Sequence, residues 1–349
     1  MTTVINADGS CYREFTEYAD SAFMVGDTAD KNNPFVVEID STWEISWSYN
    51  KAVLNKGFPL KKSTYDSIVA NAPDTSFTVH IRRDFKSVED MAKNFKLKKS
   101  HLWSPIKVKY NLNKKFRWFY TYYTYRETYP KIKTNFEIPI ENFVTKEEAM
   151  FWFTGEPNIL QGMNGIEIRD YVGGLENKVN LWFAHNEWND EYKVLLANYD
   201  KMAYQPVSKD SLAFLKDTIF IKNANFMDNE DMNKILNKYF KTKAFSYLWD
   251  GKDSPMEIYE KDYEKQDFVQ YLKAEFTYKL KMPGIILHTN NAVVKDEVII
   301  WKLNSYRMLY DDYTLEAQSR KTNIWAFILT GIILALAIGS FIYKPRKKN

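Results

Sequence analysis

IWAFILTGIILALAIGSFIY, residues 324–343, is a run of twenty uncharged residues closed by Lys344-Pro-Arg346-Lys347-Lys348. At about 1.5 Å per residue such a run makes a helix of roughly 30 Å, the thickness of a bilayer's hydrocarbon core. Its Ile, Leu and Phe side chains each favour insertion by about 0.3–0.6 kcal/mol. The stretch predicts one C-terminal transmembrane helix with the rest of the chain as a body before it. Ile324 and Trp325 open the span. Tyr343 closes it as the second interfacial aromatic, ahead of the basic tail Lys344, Arg346, Lys347 and Lys348. Gly331, Ala335 and Gly339 recur every fourth residue on one face. Small residues so spaced let two helices approach closely, which offers a face for a homodimer through this helix, although Gly and Ala are common in membrane helices without that role.

The flanks give a direction. Four basic residues follow the span, whereas only Arg320 and Lys321 lie close before it. The positive-inside rule then puts the C-terminus, 344–349, in the cytoplasm and the body on the extracytoplasmic (periplasmic) side of the cell membrane. An exported body requires a leader, and Met1-Thr-Thr-Val-Ile-Asn-Ala-Asp8 has neither a basic n-region nor an apolar h-region. Two expectations compete: a leader upstream of Met1, which we favour, or a tail-anchored body facing the cytoplasm.

Bulk composition narrows the body. With the four tail charges removed from the net +3, residues 1–323 stand near −1, so a basic nucleic-acid footprint is absent and no nucleic-acid partner is expected. Aromatics at 16% favour sheet and argue against a disordered stalk. One cysteine, Cys11, cannot form an intrachain disulfide. No Asn-x-Ser/Thr sequon occurs, which disfavours a eukaryotic secretory glycoprotein.

Along the chain, Thr3–Asn6 and Cys11–Tyr18 around Asp8-Gly9 read as a hairpin. Strand patterns follow at Phe35–Asp40, Trp43–Tyr49 and Ser76–Phe85, then a short helix at Val88–Phe95 capped by Ser87. Ile106–Tyr110 and Phe116–Tyr125 read as a second hairpin turning at Asn111–Lys114. The second strand's aromatics on both faces predict burial of both. Helical signals dominate 145–275: a capping box Thr145-x-x-Glu148, a helix over 165–199 broken at Gly173-Gly174, Ser208 capping Leu212–Phe220, Asp228 capping a helix through Phe240, and Ser254-Pro255 opening a helix to about Ala274. Strands return at Glu275–Lys281, Ile285–Leu287, Val298–Leu303 and Thr314–Gln318. The expected fold is α+β: a β-rich domain from N- and C-terminal strands (1–144 and 276–320) with a helical insertion (145–275), then the transmembrane helix at 324–343. The join Ser319–Asn323 is short, so the domain is expected to sit close to the bilayer.

Motifs for chemistry are sparse. His80, His101, His185 and His288 show no ligand spacing, so no metal site or cofactor is expected. Ser104-Pro-Ile-Lys107 matches Ser-x-x-Lys but opens a strand pattern without the partner motifs, and chance explains it better. No nucleophile elbow or phosphate loop occurs, and carboxylate pairs such as Asp311-Asp312 read as solvated surface. The aromatic ribbon at 116–125 reads first as core, with sugar stacking as an alternative. A sheet covered by helices could also enclose a lipid.

Val4-Ile-Asn-Ala-Asp-Gly-Ser-Cys11-Tyr-Arg-Glu14 resembles the start of the mature region in uncharacterised C-terminally membrane-anchored lipoproteins of Bacteroidetes-type bacteria. Met282-Pro-Gly284, Thr289-Asn290 and Val298-Ile-Ile-Trp-Lys302, followed by the anchor and basic tail, are similar to the ending of such proteins and of the broader LppM-like group. The resemblance covers about a quarter of the chain. It implies an extracytoplasmic domain, a single C-terminal anchor, an upstream signal, and lipid or envelope binding, and it brings no catalytic residues. Cys11, inside a strand pattern with no apolar run before it, does not match the lipidated cysteine. The expected function is a non-enzymatic binding domain at the envelope, with a lipid or an envelope protein as partner. The alternatives are an enzyme acting on an envelope substrate and a tail-anchored protein facing the cytoplasm.

Overall fold

Twelve strands and ten α-helices make up the described part of this chain. The computed structural model describes residues 1–29, 32–49, 55–70, 77–98, 106–224, 231–272 and 275–342. In chain order the strands are β1 (Thr2–Ile5), β2 (Cys11–Ala19), β3 (Glu44–Tyr49), β4 (Asn55–Lys56), β5 (Phe77–Phe85), β6 (Lys109–Arg117), β7 (Tyr120–Tyr129), β8 (Glu275–Lys281), β9 (Ile285–Thr289), β10 (Val293–Lys295), β11 (Val298–Asn304) and β12 (Tyr313–Thr322). The helices are α1 (Ser21–Met24), α2 (Lys62–Ala70), α3 (Val88–Asn94), α4 (Lys146–Thr154), α5 (Gly165–Asn198), α6 (Lys209–Asn223), α7 (Met232–Phe240), α8 (Pro255–Glu264), α9 (Asp267–Leu272) and α10 (Ile324–Ile342). The fold is mixed α+β with two sheets and an apolar C-terminal helix.

The backbone divides into two compact units. One comprises Met1–Pro130, Glu275–Asn304 and Asp312–Asn349; the other comprises Lys131–Ala274 and Ser305–Asp311. In the first unit, eight strands form one sheet in the order β10-β11-β8-β1-β2-β5-β3-β4, and four form a second in the order β6-β7-β12-β9. The β1–β8 pair is parallel. The β1–β2 hairpin turns at Gly9, which takes a φ of +105° that favours glycine, and Asp8 accepts from the Ser10 amide at 2.9 Å.

Alternation builds the core between the sheets. Cys11, Arg13 and Phe15 on β2, and Phe77, Val79 and Ile81 on β5, point to one face of the large sheet; Tyr123, Tyr125, Glu127 and Tyr129 on β7 point to one face of the small one. Arg13 and Glu127 meet across this core at 2.8 Å, both almost fully buried. Arg13 Nε donates to Thr3 Oγ1 at 3.0 Å and Nη1 to Tyr110 OH at 3.2 Å, while Tyr125 and Tyr129 donate to Glu127 at 2.8 and 2.7 Å. Burial acts to lower the pKa of Arg13, yet Glu127 and the surrounding hydroxyls hold it well above its ordinary value. Burial, then the negative charge of Glu127, pushes the Tyr125 and Tyr129 hydroxyls well up, so they stay protonated as donors.

The second unit is organised by α5. Asn164 caps it in a reciprocal box with Glu167, and it runs 34 residues without interruption. The polar tips of its buried aromatics all find carbonyls: Trp182 donates to Ile138 O at 2.7 Å, Tyr192 to Leu212 O at 2.7 Å, and Trp188 to Lys216 O at 3.2 Å. Asn186 both accepts from and donates to the Ile138 backbone, holding the segment after residue 131 against the helix.

Several sequence expectations are corrected. Gly173-Gly174 does not break α5; two glycines cost about 1 kcal/mol each in a helix, less than the packing of Leu175, Val179 and Trp182 returns. Asn111–Lys114 is strand, not turn: Asn111 and Asn113 pair with Arg126 and Thr124, and the hairpin reverses at Trp118-Phe119. The β7 aromatics are not buried on both faces: Tyr123 and Tyr125 are enclosed, whereas Tyr120 and Tyr122 are half-exposed. Phe35–Asp40 forms only an isolated bridge, Val37 to Leu97. The helix from Pro255 is two helices, α8 and α9, parted at Lys265-Gln266. The cap of α7 is Asp231, whose side chain accepts from Lys234 N. Asp228, Ser76, His101, Ser104, Ala274, Tyr343, Lys344, Arg346, Lys347 and Lys348 lie outside the described residues.

Candidate functional site at the base of the apolar helix

β12 continues into α10 through one residue, Asn323. Its backbone N–H donates to Phe119 O at 2.9 Å. Its side-chain amide donates to Arg117 O at 3.2 Å and Trp118 O at 3.0 Å, and its amide oxygen accepts from Thr121 Oγ1 at 3.0 Å. The β6–β7 turn has no Gly, Asn or Asp to stabilise it locally. Asn323 takes up its carbonyls instead.

The tip of that hairpin lies along the start of α10. Phe116 stacks on Trp325 with centroids 6.2 Å apart, and Trp118 meets the same ring edge-on at 5.4 Å. Phe119 lies 4.5 Å from Phe327, and Trp118 Nε1 donates to Thr330 Oγ1 at 2.9 Å. Ala326 is fully covered. Beyond this collar the helix is bare, from Ile332 and Ile333 to Phe341 and Ile342. α10 is the one helix among the described residues long and apolar enough to cross a membrane. Gly331 and Gly339 have open space where a Cβ would stand, and with Ala335 they line one exposed face.

Beside the collar, the outer face of the four-stranded sheet carries a row of cations. Lys115 on β6 pairs with Tyr122 on β7, which pairs with Arg320 on β12; the adjoining row is Arg117, Tyr120 and Thr322. Asn113, Lys115, Arg117, Tyr122 and Thr124 line a cavity of about 450 Å³. The lining supplies positive charge and hydrogen-bond donors, with no carboxylate, imidazole or thiol. It is suited to holding an anion. The Arg320 guanidinium lies 4.8 Å over the Tyr120 ring, and its covered Nε has no hydrogen-bond partner. Further up the same face the charges are matched: Arg126 Nε bonds Glu316 at 2.6 Å.

The spacing Lys115-x-Arg117 was visible in the sequence as a one-face alternation. Reading Asn111–Lys114 as a turn concealed it. The other candidates do not converge. His80 lies beside Thr16 and Glu14, His185 stacks on Phe220 and faces Asp217, and His288 is on β9. Among the described residues no three His, Cys, Asp or Glu side chains are grouped to hold a metal ion. Cys11 is buried in β2, and burial pushes its thiol up to about 12. The Arg13–Glu127 pair is sealed within the core and serves to join the two sheets. No known protein family, curated protein or solved structure matches the chain.

Proposed function

We propose that this chain is a single-pass envelope membrane protein whose β-rich unit acts as a binding domain held at the bilayer surface. The observation that carries this reading is the seating of the Phe116–Tyr120 hairpin tip on the first two turns of α10, with the rest of that helix left bare. An apolar surface of that extent is untenable in water and natural in lipid. Tryptophans and tyrosines gathered at one end of a span suit the membrane–water interface. The basic tail favours a cytoplasmic C-terminus and an extracytoplasmic body; Lys115 and Arg117 belong to a folded domain, on which the positive-inside rule has little hold. The resemblance to anchored lipoproteins of Bacteroidetes-type bacteria points the same way. The cavity lining favours binding of an anion, since it gathers Lys115 and Arg117 with no carboxylate, imidazole or thiol among them.

The test is fractionation of cells that make the protein. Alkaline carbonate is expected to leave the full chain in the membrane pellet and to release a chain ending at Thr322. Protease added to intact spheroplasts is expected to digest the body. A full chain washed free by carbonate would overturn the anchor, and a body that stays intact until lysis would overturn the orientation.

A further inference from the structure

We infer that Lys115, Arg117 and Arg320, set around Tyr120 and Tyr122 on the outer face of the small sheet, bind the phosphate of an anionic lipid headgroup in the membrane that holds α10. The inference rests on the membrane-anchored reading above and adds a ligand and a site to it.

Three observations converge. The first is unmatched charge. Among the described residues, none of these three cations takes part in an ion pair, while Arg126 on the same face is matched by Glu316 at 2.6 Å. Arg320 Nε is covered and has no partner. Cations brought together on one sheet face repel one another, and an arrangement with no acid among them fits an external anion. The second is shape. The cavity of about 450 Å³ lies over β6 and β7, within the range of small-ligand sites; Tyr122 and Thr124 add hydroxyl donors to Lys115 and Arg117, and Arg320 stands beside it as the β12 partner of Tyr122.

The third is depth. Trp118 reaches Thr330, six residues past the start of α10 and so about 9 Å along the span. The hairpin tip therefore lies beside lipid-facing helix. The Lys115–Tyr122–Arg320 row stands two residues up the strands from the Arg117–Tyr120 row, at most about 7 Å farther from the tip. A leaflet's headgroup layer is roughly 5–8 Å thick. A cationic row at that height meets lipid phosphates before any soluble ligand. Lysine and arginine at that level each strengthen attraction to anionic lipid severalfold, so loss of all three is expected to weaken it on the order of 100-fold.

The experiment uses the full chain reconstituted in nanodiscs of phosphatidylcholine alone or with 20% phosphatidylglycerol. Native mass spectrometry then counts the lipids retained on release. Wild type is expected to keep phosphatidylglycerol in preference to phosphatidylcholine. The K115A/R117A/R320A variant is expected to lose that preference, and the charge-preserving K115R/R117K/R320K variant to retain it. The second variant separates lost charge from lost fold. If the alanine variant keeps phosphatidylglycerol as wild type does, the lipid sits elsewhere on α10 and the site assignment is overturned. If inorganic phosphate at millimolar concentration displaces phosphatidylglycerol completely, the site is one for soluble anions and the lipid source is overturned. A wild-type chain that enters nanodiscs but shows no lipid preference sinks this inference alone. A chain that does not enter them sinks the membrane reading as well.

Discussion

Glu127→Ala tests what joins the two sheets. The substitution removes the carboxylate that faces Arg13 at 2.8 Å and accepts from the Tyr125 and Tyr129 hydroxyls at 2.8 and 2.7 Å. Arg13 is then a buried guanidinium without a counter-charge, and two tyrosines lose their acceptor. Breaking a buried pair from one side costs about 3–5 kcal/mol, and each orphaned hydroxyl adds about 1–3 kcal/mol unless water enters. The expected loss lies at or above the top of the first range. A unit of this size then loses roughly 10–20 °C in Tm. Arg13→Met should be comparably damaging. The double variant Arg13→Met/Glu127→Leu should be less damaging than either single change, because neither charge is stranded and both replacements are apolar. The assay is urea unfolding of the full chain in micelles, with hydrogen exchange in β2 and β7 reporting the β-rich unit separately from the helical one. A Glu127→Ala loss below about 1 kcal/mol, or a double variant equal to the sum of the singles, would refute the reasoning that this pair is desolvated and mutually dependent.

Two further outcomes are expected. Gly284 has φ +78°, and a Cβ there would collide with the Arg320 carbonyl and stand 2.8 Å from Lys321 Cα. Gly284→Ala should therefore cost about 2–4 kcal/mol through overpacking and left-handed strain, and hydrogen exchange should rise in β9 and β12; an unchanged Tm would show that the close approach is absent. In the helical unit, burial first and the neighbouring Glu187 and Glu260 next raise the Glu191 pKa to about 8. The folded state then binds a proton that the unfolded state releases near its ordinary 4.5. Stability from this group is intact below the unfolded value, falls as pH rises toward about 8, and is level above it. Glu191→Gln should flatten the pH dependence of stability across that window by up to about 1.4 kcal/mol per pH unit, and identical slopes in both proteins would exclude the raised value.

How far the fold was legible depended on whether its signal was local. Asp8-Gly9, the Ser87 cap, the Thr145–Glu148 box and the Ser254-Pro255 start are each settled by neighbours within four residues, and the structure has the turn or helix start at those positions. The Trp118-Phe119 turn is different. It is held by Asn323, more than two hundred positions away, and by rings of α10, so no local pattern marks it. Gly173-Gly174 misled for the same reason: the packing that carries α5 through them comes from other elements. The candidate site was concealed for a third reason. Lys115 and Arg117 are two residues apart on β6, but Arg320 joins them only through the β6-β7-β12 order. Counted as a flank of the span, Arg320 read as a topology signal, although in the sheet it is Tyr122's neighbour.

That double position of β12 bears on what the body can do. The strand is paired with β7 along ten residues up to Thr322, with β9 on its other side, and Asn323 is bonded into the hairpin turn. There is no free linker in which the β-rich unit could swing relative to α10. Any tilt of the span is transmitted to a two-sided strand rather than absorbed by a tether. If α10 spans a membrane as proposed, the outer sheet face of a domain so fixed would stay at one height above the bilayer. The lipid binding proposed for that face would then be selected by depth as well as by charge. A lipid phosphate satisfies both conditions without leaving the membrane, whereas a soluble anion satisfies only the second.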